Sequence, residues 1–234
     1  MMHTPLPLVM LPGMMCDHRL FTPQIEALSS ERQVLVAELN GFSTMNELAH
    51  DVLENAPECF ALAGLSMGGI LAMEVIRQAP DRVAKLALMD TNPRAEIDEV
   101  KAARAEQLAR VERGDMLGVM RDIMIPRYTH TDYPNPDIDT LCLTMAANLG
   151  EQVFINQSLA LRDRPDQQQT LANVSVPTLI LMGEDDQLCP LDRHETMQSL
   201  IPHATFSVVE KAGHLPTLEQ PNVTTRQLAN WLNS

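Results

Sequence analysis

Ser66 stands in Gly64-Leu65-Ser66-Met67-Gly68, after an apolar run that begins at Phe60 and before apolar residues at helical spacing. A Gly-x-Ser-x-Gly segment between strand and helix makes a sharp turn, with strained backbone and the serine hydroxyl lifted above the sheet. The flanking glycines let the two backbones approach closely. A neutral serine hydroxyl is a weak nucleophile and requires an adjacent base. Histidine supplies that base near neutral pH, and a carboxylate fixes its tautomer and stabilises the imidazolium. Asp185-Asp186 and then Gly213-His214 follow along the chain, in the order serine, acid, histidine that accompanies this turn.

Such residues work only if a scaffold brings them together. Short apolar runs at 7–11, 34–37, 83–89, 177–182 and 205–209, with the one beginning at Phe60, read as strands. Helical patterns lie between them at 19–28, from Ser43 or Thr44 to 55, after Ser66, at 191–200 and at 216–232. This alternation implies right-handed crossovers and a parallel sheet. In an open parallel sheet, ligands gather beyond the carboxyl ends of the strands. Four loops leave such ends: Gly13-Met14, Ser66-Met67, Asp185-Asp186 and Gly213-His214. The alternation stops at Pro93. A charge-rich helical stretch over 95–125, a turn-rich piece over 126–136 and helices over 138–149 and 151–161 carry no strand. Residues 93–172 are therefore expected to form an inserted helical lid on a core made of 1–92 and 173–234.

The 234 residues, 45% hydrophobic and 21% charged, describe an ordinary globular chain. A formal net charge of −14 disfavours nucleic acid and anionic membranes as partners. It also disfavours a polyanionic substrate, unless a local basic pocket overrides the average. Met1-Met2-His3-Thr4-Pro5 lacks the basic start of a secretory leader, and no apolar run has the length of a membrane span. Cys16, Cys59, Cys142 and Cys189 are scattered without CxxC spacing, so reduced thiols and a cytoplasmic location are expected.

Across nearly its whole length the chain resembles α/β-hydrolase-fold enzymes. The resemblance rests on Leu11-Pro12-Gly13-Met14, Gly64-Leu65-Ser66-Met67-Gly68-Gly69, the segment from Gly183 to Pro190, and the segment from Gly213 to Pro221. It implies an α/β fold with a mostly parallel sheet flanked by helices. It also implies Ser66 as nucleophile, His214 as general base and then acid, and Asp186 as the orienting acid. The family's spacing, with proline four residues after the acid, selects Asp186 over Asp185; Asp90 is the alternative. An oxyanion hole from the backbone N–H groups of Met14 and Met67 is implied as well. Pro12-Gly13 replaces the family's frequent His-Gly, which bears on the shape of that loop. No cofactor and no metal are implied.

The expected activity is hydrolysis of a small, fairly apolar ester or thioester through an acyl-enzyme. Carbon–carbon bond hydrolysis, or another acyl-transfer or lyase reaction on the same triad, is the alternative within the fold. A hydrolase-derived ligand receptor is the alternative outside enzymes. Other residues have plainer readings. His194 and His203, in or beside a surface helix, are expected in solvent. Cys16, Asp17 and His18 match no familiar zinc spacing. Glu219 is expected to oppose the dipole of the last helix. Met116, Met120 and Met124 recur at helical spacing, as lid core or as an acyl-pocket wall.

Overall fold

The computed structural model describes residues 5–234, so the expectation on the first four residues lies outside it. Six strands form one sheet: β1 (Leu8–Leu11), β2 (Val34–Val36), β3 (Phe60–Leu65), β4 (Val83–Met89), β5 (Thr178–Gly183) and β6 (Thr205–Val209). Their order is β2-β1-β3-β4-β5-β6, and all five pairings are parallel. β1, β3 and β5 are buried at every position, which is why they read as continuous apolar runs rather than alternating ones. β2 and β6 are the half-covered edges.

The chain order reverses between β1 and β3. Successive strands build outward from β1 in one direction and from β3 in the other, leaving a crevice where their crossovers part. Leu11 pairs with Gly64 there, so the loop after β1 and the turn after β3 emerge side by side.

The helices α1 (Thr22–Leu28), α2 (Met45–Asn55) and α3 (Met67–Gln78) alternate with the first strands. Of the two candidate caps, Thr44 starts α2: its hydroxyl accepts the Glu47 N–H at 3.2 Å. Between β4 and β5 the chain runs through α4 (Asp98–Val111), α5 (Met116–Val119), α6 (Pro136–Leu149), α7 (Glu151–Arg162) and α8 (Gln168–Ala172). The stretch expected as one helix over 95–125 is divided. Gly114, at a φ of +83°, takes the left-handed turn that ends α4. Beyond α5 the helix widens into a π turn at Met120–Met124 and tightens into a 3-10 turn at Ile125–Arg127. α4 packs on α7, and α6 packs on α7, whereas α8 lies against α3 and α9 (Leu191–Leu200) of the sheet layer.

The closing helix is also divided, into α10 (Pro216–Glu219) and α11 (Pro221–Asn233). Pro221 disfavours helical backbone at the residue before it, and Gln220 sits at φ −131°, ψ 60°. Among the described residues, no helix is long and apolar enough to cross a membrane.

Candidate active site

Ser66 sits between β3 and α3 at φ 55°, ψ −116°, a left-handed conformation that is strained for any side chain with a Cβ. Neighbours hold it there. Its N–H donates to the Met89 carbonyl at 2.9 Å, and the Thr91 hydroxyl donates to the Ser66 carbonyl at 2.7 Å. Gly68 makes the turn possible: a Cβ there would lie 1.9 Å from the Leu11 carbonyl oxygen. The elbow therefore packs directly on the loop after β1.

His214 Nε2 lies 2.8 Å from Ser66 Oγ, and His214 Nδ1 lies 2.8 Å from Asp186 Oδ1. The three groups come from loops after β3, β5 and β6, at the carboxyl ends of strands. With Nδ1–H donating to the carboxylate, Nε2 is left free to accept the serine proton. Asp186 Oδ1 also accepts the N–H groups of Leu188 at 2.9 Å and Cys189 at 3.0 Å. Burial alone would raise this carboxyl, but His214 and the two N–H donors outweigh it, and its pKa lies below the ordinary value.

The two other acids differ from Asp186 in surroundings. Asp185 turns outward and accepts the Thr131 N–H at 2.7 Å. Asp90 is fully buried at φ 46°, and its Oδ1 accepts the Gly183 N–H at 2.8 Å. Burial first, and then the charge of Asp186, push the Asp90 carboxyl well above the ordinary range, with the Gly183 N–H opposing. The structure brings Asp186, and neither of the others, against His214.

Met67 is the first residue of α3, where N–H groups have no intrahelical acceptor. Met14 follows Gly13 in the loop after β1 and lines the cavity above Ser66. That loop is held from a distance. Gln157 on α7 accepts the Met15 N–H at 2.8 Å and donates to the Leu39 carbonyl at 2.9 Å.

The cavity over Ser66 has a volume of about 280 Å³. Ile70, Met124, Leu161 and Leu188 supply apolar wall, and Tyr128 lies with its ring centroid 6.1 Å from that of His214. Met116 and Met120 pack in the core, so the methionine repeat divides between the two roles expected for it. Tyr133 is half exposed and packs edge-on against His130, away from the cavity wall. Cys189 approaches Asp186 and His214, with potential ligand atoms of all three within 4.8 Å. Burial, then the charges of Asp186 and Asp90, keep its thiol protonated, so it packs as a small apolar side chain.

Two expectations are corrected. His194 is fully buried on α9, its Nε2 accepting the Thr91 N–H at 3.4 Å. Its spacing to Met197 and Ile201 marks the inward face of the helix, a signal masked by charged neighbours on either side. Glu219 does more than oppose a dipole. It accepts N–H groups from His130 at 2.7 Å, Gly213 at 2.9 Å and Leu215 at 3.1 Å. His203 is exposed, as read from the sequence, and Asp17 accepts Arg19 at 2.6 Å.

A sequence model of the alpha/beta hydrolase family matches residues 8–227. Among curated proteins, a pimeloyl-[acyl-carrier protein] methyl ester esterase of Aliivibrio salmonicida is 24% identical over 96% of this chain and 91% of that protein. A 3-oxoadipate enol-lactonase of Acinetobacter baylyi is 27% identical over 88% of this chain and 80% of that protein. Among solved structures, a malate-bound thermophilic esterase from Thermogutta terrifontis superposes with a TM-score of 0.89 at 31% identity, covering 98% of this chain and 90% of that one.

Proposed function

The chain belongs to the alpha/beta hydrolase family, and from that premise we propose that it hydrolyses a small carboxylic ester through an acyl-enzyme on Ser66. The observation that carries this reading is the unbroken relay from Ser66 Oγ through His214 to Asp186, with both links at 2.8 Å. The family relatives named above include two esterases and a lactonase, and a lactone is a cyclic ester.

In the proposed reaction, His214 Nε2 takes the Ser66 proton as Oγ attacks the ester carbonyl. Negative charge moves to the carbonyl oxygen, toward the N–H groups of Met14 and Met67. Each such donor is worth about 2.7–4 kcal/mol in the transition state. Collapse of the tetrahedral intermediate breaks the ester bond, and His214 returns the proton to the departing alcohol. Water then enters, gives its proton to His214 and attacks the acyl carbon, releasing the acid and restoring Ser66 Oγ–H. Asp186 stays ionised throughout and balances the imidazolium. Residues 93–172 act in this reading as a lid whose helices close the cavity over the acyl group. The four free cysteines, three of them buried, suit the reducing cytoplasm.

The test is a p-nitrophenyl ester series from acetate to decanoate, run beside Ser66→Ala and beside labelling of Ser66 by a fluorophosphonate. Turnover that disappears in the variant, with stoichiometric labelling of the native protein, supports the reading. A folded protein that neither turns over nor labels removes it.

A further inference from the structure

The protein is strongly acidic, yet the wall of its cavity is basic. Five arginines line it (Arg94, Arg104, Arg127, Arg164 and Arg193), and Glu96 is the single acidic residue among the lining side chains. Arg94 and Arg193 share Asp192, at 3.3 and 2.5 Å. Among the described residues, Arg127 reaches only a backbone oxygen, the Gln187 carbonyl at 3.0 Å.

The inner pair is more informative. Glu96 receives Arg164 through two bonds, at 2.7 and 3.1 Å, and Arg164 Nε donates to the Arg94 carbonyl at 2.9 Å. Arg164 is thereby satisfied. Arg104 shares the same carboxylate through one bond at 3.2 Å. Among the described residues, its Nη1 meets only the thioether sulfur of Met14 at 3.8 Å, and its buried Nε has no acceptor. Two guanidiniums with side-chain exposures of 13% and 4% thus face one carboxylate exposed to 7%, beside the residue expected to donate to the oxyanion. Burial pulls the Arg104 guanidinium down from its ordinary value while Glu96 opposes. A buried charge that keeps donors unfilled is costly unless an anion completes it.

We infer that the cavity selects esters bearing a second, free carboxylate, which Arg104 receives through its Nη1 beside Met14. This rests on the esterase reading of the same site and names its substrate class. The planar fork of a guanidinium matches a carboxylate, and the ring of outer arginines draws an anion toward the mouth against the repulsion of the rest of the surface. The apolar wall would receive the methylene chain between the two carbonyl groups.

The experiment compares monomethyl esters of linear dicarboxylic acids, succinate to suberate, with methyl esters of linear monocarboxylic acids of the same chain length. At the best length, kcat/KM for the charged ester should exceed that of the neutral one at least tenfold. Arg104→Met should bring this ratio close to one, and Arg104→Lys should restore part of it. Glu96 keeps both bonds to Arg164 in these variants, so its charge remains paired. Equal or better use of the neutral ester at every length overturns the inference, as does a preference that survives in Arg104→Met. A binding measurement separates this from the reaction itself. Calorimetry on Ser66→Ala protein should show the charged ester bound at least tenfold more tightly than the neutral one, and equal affinities overturn the inference. Failure of Ser66-dependent p-nitrophenyl butyrate hydrolysis counts against the esterase reading instead, and the binding result still decides the carboxylate preference.

Discussion

The backbone N–H of His214 donates to the carbonyl of Tyr128 at 2.8 Å. The loop that carries the proposed general base is thus bonded to the chain between β4 and β5. Glu219 reinforces the junction, because its carboxylate accepts from His130 on one side and from Gly213 and Leu215 on the other. The position of the imidazole depends on how closely these two segments touch.

Gly213 sets that approach. A Cβ there would lie 2.7 Å from the His130 nitrogen and 2.7 Å from the Thr129 carbonyl carbon. Gly213→Ala should push the segments apart, costing about 1–3 kcal/mol of stability as overpacking does. Activity should fall by at least about tenfold, since a misplaced catalytic group costs far more rate than binding. Urea unfolding and steady-state kinetics on the purified variant check both numbers. Wild-type values for both would show that the contact does not position His214.

Glu219→Gln tests the carboxylate clamp separately. An amide offers one acceptor oxygen where the carboxylate offers two, and it brings an NH₂ group toward N–H donors. One or more of the three N–H groups loses its acceptor, at a cost of about 1–3 kcal/mol. Protection of the Gly213 and His130 amides from hydrogen exchange should fall more than that of the β3 amides. An equal change in protection at Gly213, at His130 and in β3 would remove the clamp.

Asp90 and Asp186 are distinguished by isosteric replacement. Among the described residues, neither buried Oδ2 has a hydrogen-bond partner. Burial and the neighbouring charge of Asp186 raise the Asp90 carboxyl and so favour its neutral form, which asparagine matches in shape and charge while tolerating the left-handed backbone. Asp90→Asn should keep activity within about fivefold of wild type, the scale of exchanging one neutral hydrogen bond for another. Asp186→Asn should lose about 10⁴-fold in kcat by presenting the wrong histidine tautomer. A loss at Asp90 equal to that at Asp186 would assign the acid to the strand end of β4.

How far the sequence reaches can be read from these residues. The strands and the turn at Ser66 are local: a few consecutive side chains and two glycines specify them, and they stand where the pattern put them. Sequence position ties Glu219 to its own helix, whereas one of its three donors, His130, lies 89 positions away. Gln157 and Met15 are 142 positions apart. Periodicity reports which face of an element is apolar, and it cannot report which distant N–H group that face meets. Net charge fails in the same way, because a total of −14 averages over the surface and conceals five arginines gathered around one cavity.

His194 gives the clearest pH signature outside the site. Burial on the inner face of α9 lowers its pKa from the ordinary value of 6.5 to about 4. The unfolded chain takes up a proton as pH falls through about 6.5, while the folded protein resists until about 4. Its contribution is therefore fully present at pH 7 and is lost as pH falls across that window. The gap of about 2.5 units corresponds to about 3 kcal/mol once both values are passed. Urea unfolding at pH 7 and pH 4.5 should show most of this loss in the wild type. His194→Gln keeps a donor and an acceptor for Pro190 and Thr91 but cannot titrate, so its stability should fall by about 2–3 kcal/mol less over the same interval. Identical pH dependence in the two proteins would mean that the buried imidazole takes up its proton in the folded state as readily as in the unfolded one.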